Sequence, residues 1–124
     1  MSYPDDRKYT RNHEWVRLSG GMAEVGITEY AQQQLGDVVY MELPVVGSHV
    51  TAGQSFGSIE SVKAVSDLFA PVGGEVVEVN DAVKDHPEAV NQDPHSSWMI
   101  KVRVSNPGEV AALLDGLQYQ GLLG

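Results

Sequence analysis

The stretch Ser55-Phe56-Gly57-Ser58-Ile59-Glu60-Ser61-Val62-Lys63-Ala64-Val65-Ser66-Asp67-Leu68-Phe69-Ala70-Pro71 decides how this chain is read. It reads as two short strands meeting at Ser61-Val62-Lys63-Ala64. Apolar residues recur at short intervals on both sides, Phe56 and Ile59 before the turn, Val65, Leu68 and Phe69 after it. That spacing suits half-buried β structure better than a long amphipathic helix. No Gly or Asn sits at the centre of the turn, which argues against the primed hairpin types. Ser61 in the first position fits a type I turn. Lys63 then stands at the tip, facing water. It is the only Lys or Arg between Arg17 and Lys84. A lysine on a turn is most often only a solvated charge. A lone amine raised on a hairpin is also what a modifying enzyme needs.

The flanks are rich in turns and short strands. Before the hairpin, Tyr9 to Leu18 contains a strand with Trp15 and Tyr9 as core anchors. Ser19-Gly20-Gly21 turns the chain into a return strand, Met22 to Ile27. Thr28 is placed to cap a short helix over Tyr30 to Leu35, with Glu29 at its positive end and Gly36 as a left-handed stop. Asp37 to Leu43 is a strand ended by Pro44. After the hairpin, Gly74-Glu75-Val76-Val77-Glu78-Val79-Asn80 looks like a weak copy of Gly36-Asp37-Val38-Val39-Tyr40-Met41-Glu42. The two copies bracket Lys63, which suggests two small sheets in a pseudo-two-fold arrangement. Asp81 to Pro94 has room for one helical turn at Glu88 to Asn91. Ser97 to Val104 reads as a last strand. Asn106 then caps a helix with Pro107 in its first position and Gly116 as its stop. The expectation is one domain over 1–124, monomeric, with residues 1–8 loosely held and 106–124 forming a C-terminal helix and tail.

Composition narrows the function. Thirteen Gly and six Pro favour a β-rich fold, and 42% hydrophobic with 20% charged residues is ordinary for a globular domain. The chain has no cysteine, which excludes disulfides, thiolate metal sites and Cys nucleophiles. Thiol chemistry would need a cofactor. A net charge of −9 repels phosphate backbones, so nucleic acid is a poor partner, whereas proteins with basic surfaces are favoured. No apolar run approaches the roughly 20 residues of a membrane span. The acidic start Met1 to Asp6 lacks the features of a secretory or transit peptide. A bacterial cytoplasm is the simplest compartment, or the mitochondrial matrix for a processed eukaryotic form. His13, His49, His86 and His95 show no metal-ligand spacing, and no phosphate-loop or serine-triad pattern occurs.

Several segments in order resemble the glycine cleavage system H protein family. They are His13-Glu14-Trp15-Val16, Gly26-Ile27-Thr28-Glu29-Tyr30-Ala31-Gln32 with Leu35-Gly36-Asp37, and Glu42-Leu43-Pro44-Val45-Val46-Gly47. Glu60-Ser61-Val62-Lys63-Ala64, Ala70-Pro71 with Gly74-Glu75-Val76, Val79-Asn80, Pro87-Glu88-Ala89-Val90-Asn91 and Trp98-Met99 complete the set. The resemblance implies a barrel-sandwich hybrid of two small antiparallel sheets, mainly β with short helices. It implies a non-catalytic carrier with lipoate in amide linkage on Lys63. Such a carrier serves a pyridoxal-phosphate glycine decarboxylase, a tetrahydrofolate-dependent aminomethyltransferase and dihydrolipoamide dehydrogenase. The arm accepts the aminomethyl group of glycine after CO₂ leaves, and tethering gives it a high effective concentration at each site. The family parks the loaded arm on its own surface. The cargo is cationic at neutral pH, and Glu14 and Asp67 match the docking positions, although each could be an ordinary exposed acid. Glu60 matches a position recognised by the lipoate-attaching enzyme. Asn12 and Gln34 stand where some relatives have Ser and His, and Ser97 departs from the Gly-Trp of many relatives.

Rival readings differ at defined residues. Biotin carriers resemble Met-Lys-Met, whereas Val62 and Ala64 flank Lys63. Lipoyl domains of 2-oxoacid dehydrogenases usually carry Asp before the lysine and belong to longer chains. A Schiff-base lysine needs burial to lower its pKa from about 10.4, which a hairpin tip does not give. An H-like protein that only relays lipoyl groups keeps the same hairpin and stays open as an alternative.

Overall fold

In the computed structural model, which describes residues 3–123, β1 (Lys8–Tyr9) pairs with β2 (Glu14–Ser19), and β2 turns through Gly20 and Gly21 into β3 (Met22–Ile27). Thr28 caps α1 (Glu29–Leu35) as its sequence predicts, its hydroxyl oxygen accepting the Ala31 N–H at 3.2 Å. Gly36 ends the helix with φ 79° but an extended ψ of −156°, a positive-φ stop that is not left-handed helical. The chain continues through β4 (Val38–Glu42), β5 (His49–Val50), β6 (Ser55–Ser61), β7 (Val65–Phe69) and β8 (Gly74–Val79). After α2 (Asp81–Asp85) and α3 (Ala89–Gln92) comes β9 (Ile100–Val104), and then α4 (Gly108–Ala111) and α5 (Gly116–Leu123).

Both sheets are antiparallel, but they are unequal. One has six strands in the order β1-β2-β3-β9-β8-β5, the other three in the order β4-β6-β7. The two Gly-acid-Val-Val copies fall one in each sheet. Each carries an irregularity at the same point of the repeat, between Val38 and Tyr40 in β4 and between Val76 and Glu78 in β8. An extra residue there bends the strand and raises its twist, and this curls each sheet over the shared core. Val25, Val76, Ile100 and Val102 of the large sheet and Met41, Ile59 and Leu68 of the small one lie in a single buried cluster. Tyr9, Trp15 and Tyr119 form a second cluster at one end.

Besides the stop at Gly36, three expectations are corrected. Tyr3 to Lys8 are not loosely held. The Tyr3 ring meets those of Tyr9 and Tyr119 edge-on, and Arg7 lies over Trp15 while donating to the His95 carbonyl at 2.6 Å. Met1 and Ser2 lie outside the described residues. A helix over Asp81–Asp85 was not foreseen, although Asn80 caps it by accepting the Val83 N–H and Lys84 suits its negative end. Lastly, Gly116 starts a helix instead of stopping one. The helix after Asn106 is a single turn, and Leu114 then bridges to Tyr9. Asp115 and Gln118 form a reciprocal capping box at 2.8 and 2.9 Å. A side chain at Gly116 would press on the Tyr3 and Pro4 carbonyl oxygens at 3.2 and 3.3 Å, so close approach explains this glycine. Gly124 lies outside the described residues.

Candidate carrier-arm site

The tip of the β6–β7 hairpin is built by Ser61. Its N–H donates to the Ala64 carbonyl at 2.8 Å, and its hydroxyl oxygen accepts the amides of Ala64 and Lys63 at 3.1 and 3.3 Å. A side-chain oxygen thus takes the role that a backbone carbonyl has in an ordinary type I turn. One further bond, Val62 N–H to Asp37 O at 3.0 Å, ties the turn to the entry of β4. Lys63 is exposed, as its position predicts. A Cβ on Gly36 would stand 3.4 Å from Lys63 Cε, an ordinary contact distance, so the lysine stem runs alongside the end of α1.

The register puts two rows on the outer face of the small sheet, exposed except at the half-buried Ser58. Tyr40 faces Glu60, which faces Val65, and Glu42 faces Ser58, which faces Asp67. Three carboxylates and two apolar side chains therefore surround the approach to Lys63 on that face. Glu60 is solvent-facing, whereas Glu14 is buried.

A cleft of about 330 Å³ opens beside the tip at Ala64 and Val65. Ile59, Leu68 and Leu35 give it apolar walls, and Glu14, Asp67 and His13 give it polar ones. The structure thus brings Glu14 and Asp67 together in one cleft next to Lys63. Asn12 and Gln34 also line it. A larger cavity of about 540 Å³ lies beyond Glu14, between β1 and the segment before α5, but it does not reach the hairpin tip.

Glu14 is not an ordinary exposed acid. It is 2% exposed, accepting the Thr10 hydroxyl at 2.8 Å and the Phe69 N–H at 3.3 Å. Burial pushes its carboxyl up to about 7, opposed by these two donors. At neutral pH it is therefore poised between its two forms. A cation beside it would draw it into the charged one.

The sequence did not point to His13 as part of this wall. Its ring lies 4.5 Å from Tyr30, and its Nδ1 is 2.7 Å from the Tyr119 hydroxyl of α5. Contacts across 106 residues leave no local signal in a sequence.

Over residues 7–124 the sequence matches the family described as Glycine cleavage H-protein. The chain belongs to that family. It is 53% identical over 124 residues to the glycine cleavage system H protein of Anaeromyxobacter sp. (strain K), covering 99% of this chain and 97% of that protein. It is 54% identical over 120 residues to the one from Koribacter versatilis (strain Ellin345), covering 97% and 93%. The crystal structure of a glycine cleavage system H protein from Mycobacterium marinum superposes with a TM-score of 0.90 at 42% identity, over 98% of this chain and 99% of that one. The H-protein family is a family of lipoyl carriers of the glycine cleavage system, and the two-sheet fold with short helices is shared with that solved relative.

Proposed function

We propose that Lys63 is the lipoyl attachment site and that the cleft holding Glu14 and Asp67 receives the loaded arm. The observation that carries this reading is the adjacency of one exposed amine on a hairpin and a cleft holding two carboxylates. Bound lipoate would supply a dithiolane that takes up the aminomethyl group of glycine. This chain's own part is to present, shelter and release. Ser61 and Asp37 fix the base of the arm without burying it. Ile59, Leu68 and Leu35 exclude water from one side of the cleft. Glu14, neutral or charged at little cost near pH 7, takes the charged form when an ammonium enters. Asp67 adds a second carboxylate at the mouth.

The partners are a glycine decarboxylase, an aminomethyltransferase and dihydrolipoamide dehydrogenase, with a lipoate-attaching enzyme to load Lys63. The carrier performs no catalysis of its own. The rows Tyr40-Glu60-Val65 and Glu42-Ser58-Asp67 support docking of enzymes that present basic residues around an apolar patch. Glu60 lies in the first row, three residues before Lys63, and serves the attaching enzyme. The compartment is the cytoplasm, in keeping with bacterial relatives. Among the described residues no helix is long and apolar enough to cross a membrane.

Co-expression with a lipoate-attaching enzyme tests the reading. Intact mass should rise by one lipoyl group, and the modified chain should support glycine–CO₂ exchange with the decarboxylase. A modified chain that gives no exchange would leave only the relay of lipoyl groups.

A further inference from the structure

His13 has backbone φ 69°, a left-handed conformation that few residues other than glycine adopt. The surroundings hold it there. Its N–H donates to the Thr10 carbonyl at 3.1 Å, and its carbonyl accepts the Thr28 N–H at 3.0 Å. Strained residues held on both sides recur at ligand clamps.

The hydroxyl chain behind the ring has one consistent proton order. Thr28 is fully buried, and its oxygen already accepts the Ala31 N–H. Among the described residues its own proton has one acceptor, the Tyr119 oxygen at 2.8 Å. Tyr119 is also fully buried, and burial raises its phenol far above the ordinary range, so it keeps its proton. That proton goes to His13 Nδ1 at 2.7 Å. Nδ1 is then an acceptor, and the ring hydrogen sits on Nε2, which has no hydrogen-bond partner among the described residues. Burial also lowers His13 below the ordinary imidazole range, which favours the neutral ring.

We propose that His13 is a binding residue of the arm cleft, fixed by Tyr119 and Thr28 as the neutral imidazole with its hydrogen on Nε2. The wall beside Glu14 then offers a bound arm one donor without a positive charge. Its chemical partner is a hydrogen-bond acceptor, such as the amide oxygen of an acylated lysine arm whose ammonium end meets Glu14. A protonated imidazole at the same place would repel that ammonium. The idea rests on the arm-docking reading above. Tyr119 acts only through His13, which makes it a positioning residue carried by the C-terminal helix.

Two measurements decide it. Long-range ¹H–¹⁵N correlation spectra of the unmodified chain at pH 7.5 should show His13 mainly with hydrogen on Nε2, and Tyr119→Phe should lose that preference. A wild-type ring with its hydrogen on Nδ1, or doubly protonated, overturns the proposal. In the lipoylated chain, at modification matched by intact mass, Tyr119→Phe and His13→Asn should each shorten the lifetime of the aminomethyl-loaded form by about 3- to 10-fold, the worth of one neutral hydrogen bond. Asn tolerates positive φ, so His13→Asn keeps the backbone if Tyr119→Phe fails to fold. Wild-type lifetimes in the variants that fold also overturn it. If the chain takes no lipoyl group, the carrier reading fails separately, and the spectra still decide the state of His13.

Discussion

The tip that carries Lys63 and the wall that carries Glu14 follow opposite plans. At the tip, most bonds run among Ser61, Lys63 and Ala64, and one reaches Asp37. Val62 and Val65 beside the lysine are 69% and 70% exposed. At the wall, Glu14 is bonded to Phe69 across 55 residues and His13 to Tyr119 across 106. The tip is a local object resting on the core. The wall is made by the core and fails with it. A carrier needs this division, because its handle must enter foreign active sites while its shelter stays rigid.

The sharpest way to break the comparison is Lys63→Ala. Modification should vanish entirely, since no other amine stands on this hairpin. Stability should stay within about 0.5 kcal/mol, as for an exposed residue without special contacts. Mass spectrometry reads the first effect and denaturant melts the second. A mutant still acylated would place the arm elsewhere, and a large loss of stability would deny that the tip is local.

Glu14→Gln tests the wall. The Glu14 carboxyl rises from an ordinary 4.5 to about 7 on folding. Below pH 4.5 both states hold the proton. Between 4.5 and 7 the unfolded chain releases it first, so this group's support of the fold is full at low pH and lost as pH rises to 7. At about 1.4 kcal/mol per pH unit the gap is worth roughly 3 kcal/mol. Stability of the wild type relative to Glu14→Gln should therefore fall by that order between pH 4 and pH 7.5 and level off above. Other carboxylates cancel in this difference. A difference that does not change with pH would mean that Glu14 is solvated in the folded chain.

What the sequence made legible follows the same division. Local signals were sufficient for the tip: a lone lysine, Ser61 before it and apolar residues recurring at short intervals on both flanks. They were sufficient for Thr28 as a cap and for Trp15 and Tyr9 as core residues. The family resemblance supplied Glu14 and Asp67 as cleft residues, but not the burial of Glu14, which depends on Phe69 approaching from β7. Gly116 misled because a glycine that permits close packing and one that ends a helix look alike in sequence. Residues 3–8 misled because polar composition hides what Tyr3 and Arg7 do once Tyr119 and Trp15 are in place.

The smallest expected effect belongs to Ser61→Ala. The buried hydroxyl oxygen accepts two amides, and among the described residues no other side chain accepts hydrogen bonds from the amides of Lys63 and Ala64. Its loss leaves those amides to water, because Lys63 and Ala64 are exposed, so the cost should be about 1 kcal/mol rather than that of a fully buried orphan. The Ser61 N–H to Ala64 bond and the Val62 tie to Asp37 remain, so the hairpin should keep its register. Acylation of Lys63 should slow only slightly, since the amine stays outside the fold in either case. Amide exchange at Lys63 and Ala64 should quicken while that of Ile59 and Leu68 stays unchanged. Faster exchange at Ile59 as well would show that the turn holds the small sheet together, and the separation between tip and wall would have to be withdrawn.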